Sequence, residues 1–330
     1  MKTYQTNEIK NIAIVGCSGS GKTTLTEAML YEGGIIKRRG TIEAKNTVSD
    51  YFPVEHEYGY SVFSTVFQIE QAGKKLNLID CPGSDDFAGS AVSAMTVADL
   101  AMMVINGQYG VEVGTQNCYR YVKKMKKPMM FVVNQVDHEK CDYDTIIEQL
   151  QSIYGSKVVP VQYPLNAGPG FSTIIDVLLM KKLTYTGEGQ PPLVEDIPAG
   201  ELEKAKALHM ELVEKAAENE EGLMDKFFES EELTTDEIRK GARLGLETDS
   251  VYPVLCCSAS TDVAVSRLLE FLANVAPEIT DMPQPVNADG ETVPYDSEAP
   301  TSIFFYKTSV EPHIGEVNYF KVMSGTLKAG

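Results

Sequence analysis

The stretch Gly16-Cys17-Ser18-Gly19-Ser20-Gly21-Lys22-Thr23 decides the fold. It has the spacing G-x-x-x-x-G-K-[ST] and lies between an apolar run, 11–16 (NIAIVG), and a helical stretch that opens at Lys22. Glycines let the backbone turn tightly enough to aim N–H groups at phosphate oxygens, and the following helix adds its positive end to the same point. Lys22 is placed to reach β- and γ-phosphates, and the Thr23 hydroxyl to ligate Mg²⁺. As a bare string the pattern arises by chance; between a buried strand and a helix, Gly16 through Thr24 reads as a phosphate loop.

Outward from this loop, strand-like and helical runs alternate. Strand-like runs lie at 61–70 (SVFSTVFQIE), 75–80 (KLNLID), 101–106 (AMMVIN), 129–134 (MMFVVN) and 251–256 (VYPVLC). Helical stretches fall near 87–98, 113–125 and 262–275. Such alternation predicts an α/β domain with a mostly parallel sheet covered on both faces. The gap from 134 to 251 is too long for one crossover, so most of 160–250 reads as a helical or α+β insertion. Pro277, Pro283, Pro285, Pro294 and Pro300 mark a linker. The segments SIFFYKT and VNYFKVMSG then alternate like strands, too few to close a barrel before Gly330. The chain is therefore expected to end inside a domain: 1–280 the nucleotide-binding domain, 281–300 the linker, 301–330 the start of an antiparallel barrel.

Three further motifs stand at strand ends, where open α/β sheets bind ligands. Asp80-Cys81-Pro82-Gly83 closes one strand; Asp80 can hold Mg²⁺ through water and Gly83 can offer its N–H to a γ-phosphate. Asn134-Gln135-Val136-Asp137 closes another. A carboxylate at 137 can accept from guanine N1–H and N2–H₂, donors that adenine lacks in that arrangement. Cys257-Ser258-Ala259-Ser260 would complete the base pocket, with the Ala259 N–H on the guanine oxygen. Each motif alone is an ordinary turn; their order carries the reading of GTP/GDP binding with Mg²⁺. Asp137 disfavours an ATPase, and a Gly-x-Gly-x-x-Gly turn for a dinucleotide is missing from the first loop.

The bulk composition agrees with a globular chain of about two domains, with 43% hydrophobic and 23% charged residues. No run of roughly 20 apolar residues is present, so no membrane span is expected. The first residues lack a signal peptide's pattern. Six scattered cysteines suggest free thiols in a reducing cytoplasm. A net charge of −18 argues against direct, non-specific or sequence-specific nucleic-acid binding by this part of the chain. Residues 195–250 hold 17 acidic against 7 basic side chains, with Leu202, Ala205, Leu208, Leu212 and Ala216 at helical spacing. That is a solvated helical face, or a docking surface for a partner.

The pieces GCSGSGKTTL, DCPGSDDF, NQVD, VLCCSAS and KVMSGTLKAG together resemble a translational GTPase of the elongation factor G group. The resemblance covers essentially the whole chain. It implies a Ras-like P-loop domain, an inserted subdomain, a barrel domain starting near 290, and three further domains that reach the decoding region. It implies work on the ribosome at the factor-binding centre, as a monomer promoting tRNA and mRNA translocation. The acidic insert would face the stalk proteins.

The chain also departs from the family. Where members carry a histidine that orients the attacking water, this chain has Ser84, whose hydroxyl is shorter and carries no imidazolium charge. Hydrolysis is expected to be weak or absent, since such groups are worth about 10²–10⁴-fold in rate. Gly19 replaces a phosphate-loop aspartate associated with a monovalent cation. Gln135 replaces a lysine that packs over the base. The Arg-Gly-Ile-Thr switch pattern aligns with Tyr58-Gly59-Tyr60-Ser61, leaving the Ser61 hydroxyl for Mg²⁺. The alternatives are a ribosome-protection or release-type GTPase and a non-catalytic GTP-binding regulator.

Overall fold

The computed structural model describes residues 4–311 and 314–328. The parent sheet begins with β1 (Ile9–Val15), which runs through the phosphate loop into α1 (Lys22–Glu32). After the short helix α2 (Pro53–Tyr58) come β2 (Thr65–Gln71), β3 (Lys74–Asp80), α3 (Ala88–Val97), β4 (Leu100–Asn106), α4 (Val113–Lys124), β5 (Met129–Asn134), α5 (Tyr143–Tyr154) and β6 (Val158–Pro160). A second sheet follows, built from β7 (Gln162–Pro164), β8 (Thr173–Asp176), β9 (Lys181–Thr184) and β10 (Leu193–Glu195). Helices α6 (Leu202–Ala217), α7 (Glu221–Ser230) and α8 (Thr235–Glu247) then lead back to β11 (Tyr252–Cys256) and α9 (Val265–Val275). The hairpin β12 (Ser302–Glu311) and β13 (Gly315–Ser324) comes last.

The seven-stranded sheet has the order β2-β3-β1-β4-β5-β11-β6, parallel except for the β2–β3 hairpin. Strands β4 and β5 are buried along their whole length, which explains why they read as unbroken apolar runs. Each fully buried aliphatic side chain there contributes about 1.5–3 kcal/mol. The sheet's carboxyl ends thus converge on one edge, where Gly16, Asp80, Asn134 and Cys257 emerge. The fold class agrees with the sequence reading: a P-loop α/β domain, an α+β insertion and an antiparallel hairpin.

Three details differ from the sequence reading. Residues 61–64 are not part of β2. Val62 and Phe63 donate their N–H groups to Glu55 Oε1 at 3.0 and 3.1 Å, so this backbone is tied to a buried carboxylate and not to a ladder. Helix α5 and the three-residue β6 complete the parent sheet within the long gap, β6 pairing with β11. The proline-rich stretch carries a 3₁₀ turn at Ile279–Asp281, beside the buried Lys10, which pairs with Glu278 at 3.0 Å.

Within the acidic stretch, Ala205, Leu212 and Ala216 of α6 are buried. There α8 crosses α6 at Gly241, where a Cβ would fall 2.7 Å from the Ala216 carbonyl carbon. Among the described residues no helix is long and apolar enough to cross a membrane. The barrel expectation for 301–330 includes Pro312, His313, Ala329 and Gly330, which lie outside the described residues.

Candidate nucleotide and magnesium site

The phosphate loop is held in shape by its own backbone. Gly21, at φ +83, caps α1 without a side chain, so the first turn's N–H groups stay open to an anion. Ser20 Oγ donates to Cys17 O at 2.9 Å, and Lys22 Nζ donates to Gly16 O at 3.0 Å and Cys17 O at 2.9 Å. Burial lowers the Lys22 pKa, opposed chiefly by the Asp80 charge. Thr24 follows, half-buried, on the first turn of α1. Gly83 passes so close that a Cβ there would lie 2.7 Å from Ser18 N and beside Lys22 Nζ. Ser18, Lys22 and Gly83 thus share one small space at the mouth of α1.

The three residues expected at Mg²⁺ come together around the same point. Thr23 Oγ1 and Ser61 Oγ are hydrogen-bonded at 3.0 Å. Asp80 is fully buried; its Oδ2 accepts from Ser49 Oγ at 2.6 Å, while Oδ1 has no hydrogen-bond partner. Burial raises the Asp80 pKa, against the lowering effects of the Ser49 hydroxyl and the Lys22 ammonium. Beside them stands Asp50, which sequence reasoning missed. It is buried and neither carboxylate oxygen has a hydrogen-bond partner. Burial pushes it up to about 7, with the Ser61 hydroxyl opposing and the Asp80 charge reinforcing the rise.

Two hydroxyls and two under-satisfied carboxylates form a hard, all-oxygen set of the kind Mg²⁺ takes while keeping several waters. Among the described residues there is no cluster of three His, Cys, Asp or Glu side chains suited to a metal.

The base side is wired through Asn134. Its Nδ2 donates to Ser20 O at 2.9 Å, and its Oδ1 accepts from Ala259 N at 3.0 Å. Gln135, at φ +61, donates from Nε2 to Gly19 O at 3.0 Å. Asp137 Oδ2 accepts from Ser260 Oγ at 2.9 Å; Oδ1 is buried with no hydrogen-bond partner. Ser258 Oγ takes up the Thr261 hydroxyl at 2.7 Å and so folds the turn. The Ala259 N–H assigned to the guanine oxygen is occupied here by Asn134, so purine reading would share that donor.

Ser84 does not join the cluster. Its Oγ accepts from Asp86 N at 3.4 Å and caps the 3₁₀ turn Asp85–Phe87. Neighbouring Asp85 is held by Asn117 Nδ2 at 2.9 Å. Asn106, also absent from the sequence reading, braces the loop through Gly19 O at 3.1 Å. Its only signal was an asparagine at the end of a buried strand.

Residues 7–278 match the family described as the Elongation factor Tu GTP binding domain. An elongation factor G-like protein of Thermotoga maritima is 31% identical, over 98% of this chain and 46% of its own length. Elongation factor G of the same organism is 31% identical over 98% and 48%, and that of Ureaplasma parvum 31% over 97% and 47%. A solved structure from Thermus thermophilus superposes with a TM-score of 0.86 at 31% identity, covering 98% of this chain and 46% of that one. The chain spans a little under half the length of these relatives. Its matched region, its fold and the order of its loops place it in one family: the chain belongs to the translational GTPase family of the elongation factor G type.

Proposed function

We propose that this chain binds GTP and GDP with Mg²⁺ at the edge formed by residues 16–24, 80–83, 134–137 and 258–259. The observation that carries this is the set of buried carboxylate oxygens at Asp50, Asp80 and Asp137 left without protein partners. A stranded buried acceptor costs about 1–3 kcal/mol, and guanine donors and metal-bound water would relieve it. Mg²⁺, when bound, would neutralise phosphate charge. Thr23, Ser61 and Asp80 would hold it, with Asp50 in its water shell. Lys22 would exchange its loop carbonyls for phosphate oxygens, and Gly83 would present its N–H beside it.

In the wider protein, this domain serves as the nucleotide switch of an elongation factor that promotes tRNA and mRNA translocation. The proposed partners are the ribosomal factor-binding centre and, through the acidic helices α6–α8, the stalk proteins. The nucleotide-binding domain spans about 1–280 with its insert at 160–250, followed by a linker and a barrel domain from 301. Hydrolysis is slow, because Ser84 spends its hydroxyl on capping the turn at Asp86 and leaves the attacking water unoriented.

Titration calorimetry with Mg²⁺ tests the binding, and absence of both GDP and GTP binding ends the reading. Single-turnover phosphate release with excess ribosomes tests the hydrolysis. A burst of order 10 s⁻¹ or above contradicts slow chemistry, and a Ser84→His variant is expected to gain about 10²–10⁴-fold.

A further inference from the structure

Arg39 lies in the loop between α1 and α2, and its side chain is 14% exposed. Its Nη1 donates to Ala259 O at 2.6 Å, and its Nη2 to Ser260 O at 2.8 Å and Glu188 Oε1 at 2.6 Å. Ala259 and Ser260 are the two residues whose N–H and hydroxyl engage Asn134 and Asp137. One rigid guanidinium therefore grips, by successive carbonyls, the turn whose other face meets both base-side residues. A planar fork on two carbonyls fixes the peptide between them in a way a flexible ammonium does not. The turn's far side is held as well. Asp262 Oδ2 accepts from Gly189 N at 3.0 Å, and Gly189, at φ +65, sits where a Cβ would lie 3.2 Å from the Tyr31 ring. Residues 188 and 189 belong to the segment inserted between β6 and β11, so that segment meets Arg39 through Glu188, and meets Asp262, just past the turn, through Gly189.

We infer that Arg39 is a positioning residue for purine recognition, holding the 259–260 turn where it reads the purine O6 edge and tying that turn to the inserted segment through Glu188. The inference rests on the guanine reading of the site. A purely structural tie would weaken every nucleotide equally. Positioning of the O6 donor instead makes the loss depend on O6 itself.

The test is the dissociation rate, with Mg²⁺ present, of GDP and of 6-thio-GDP from wild type, Arg39→Ala and Arg39→Lys. The thio analogue keeps N1–H and N2–H₂ and replaces O6 with a weak acceptor. Wild type is expected to release the thio analogue about tenfold faster than GDP, the effect of one good hydrogen bond. Arg39→Ala is expected to release GDP about tenfold faster than wild type and to lose most of that preference, with Arg39→Lys between them. Glu188→Ala, which leaves both carbonyl bonds in place, is expected to speed GDP release about two- to threefold, as suits a half-exposed ion pair.

An Arg39→Ala variant that keeps the wild-type GDP rate, or speeds both nucleotides by one factor, overturns the inference. So does a wild type with no preference between them. An unchanged Glu188→Ala overturns the tie to the inserted segment. If wild type binds no guanine nucleotide, the guanine reading falls too. If it binds and Arg39→Ala matches it, only the inference falls.

Discussion

Asp137 keeps one buried oxygen free while its other oxygen accepts from Ser260, a pairing that suits two purine donors side by side. Asp137→Asn replaces an acceptor with a donor. It is expected to weaken GDP binding at least about 100-fold and to favour xanthosine diphosphate, whose O2 accepts where guanine donates; mismatched hydrogen-bonding sites discriminate by more than this. Competition binding of the two nucleotides checks it, and unchanged preference removes Asp137 from the base pocket. Gly83→Ala is a second residue-level test. Its methyl would press on Ser18 N at 2.7 Å and on Lys22, so nucleotide affinity should fall by about tenfold or more, roughly 1.4 kcal/mol, with the fold intact by circular dichroism.

Glu32 supplies a pH test. Burial, then the neighbouring Asp262 carboxyl, push it from its ordinary 4.5 up to about 7. The native state therefore holds this proton more tightly than the unfolded chain, and stability falls as pH rises between those two values. Glu32→Gln removes the penalty: its melting temperature should match wild type near pH 5 and exceed it at pH 8. A gain confined to acid pH would reverse the assignment.

At the scale of elements, legibility followed burial and locality. Strands β4, β5 and β11 were readable because burial on both faces writes an unbroken apolar run. The phosphate loop was readable because its spacing is its geometry. Strand β6, three residues long, is too short to show a period, and the false start of β2 at 61 came from a backbone diverted to Glu55. Asp50 and Arg39 were illegible because their meaning lies in distant partners; Arg39 meets Ala259 across 220 positions. Helix α8 shows the local kind of signal well. Thr234 caps it by accepting from Glu237 N at 3.4 Å, and Glu237 Oε2 accepts from Thr234 N at 2.7 Å. The Lys226 ammonium and the Thr234 N–H hold Glu237 down at about 2. Thr234→Ala is expected to cost about 1 kcal/mol, read by chemical denaturation. The contribution of Glu237 persists above its ordinary 4.5 and is lost only as pH falls towards 2. No measurable loss would mean that α8 is held by packing against α6 alone.

At the scale of the whole molecule, a buried pair joins the inserted segment to α9 of the parent domain. Arg267 on α9 donates from Nε to Asp176 Oδ2 on β8 at 2.5 Å, with side-chain exposures of 4% and 0%. Asp176 Oδ1 accepts from Leu179 N at 2.7 Å, and Arg267 Nη1 reaches Glu270 at 2.9 Å. Desolvating two charges nearly cancels their attraction, so the pair adds little net stability; removing one partner strands the other and costs about 3–5 kcal/mol. Arg267→Met should therefore lower the melting temperature by roughly 10 °C. The double variant Arg267→Met with Asp176→Leu should recover most of it. Because Asp176 belongs to the second sheet, hydrogen exchange in the single variant should rise first in β7–β10 and α9 while β4 and β5 stay protected. Equal loss in single and double variants would show that β8 and α9 are held by their apolar contacts. Uniform exchange across both sheets would show instead that insert and parent domain open as one unit, so that a force on the acidic helices would reach the base-side turn without passing through Arg39.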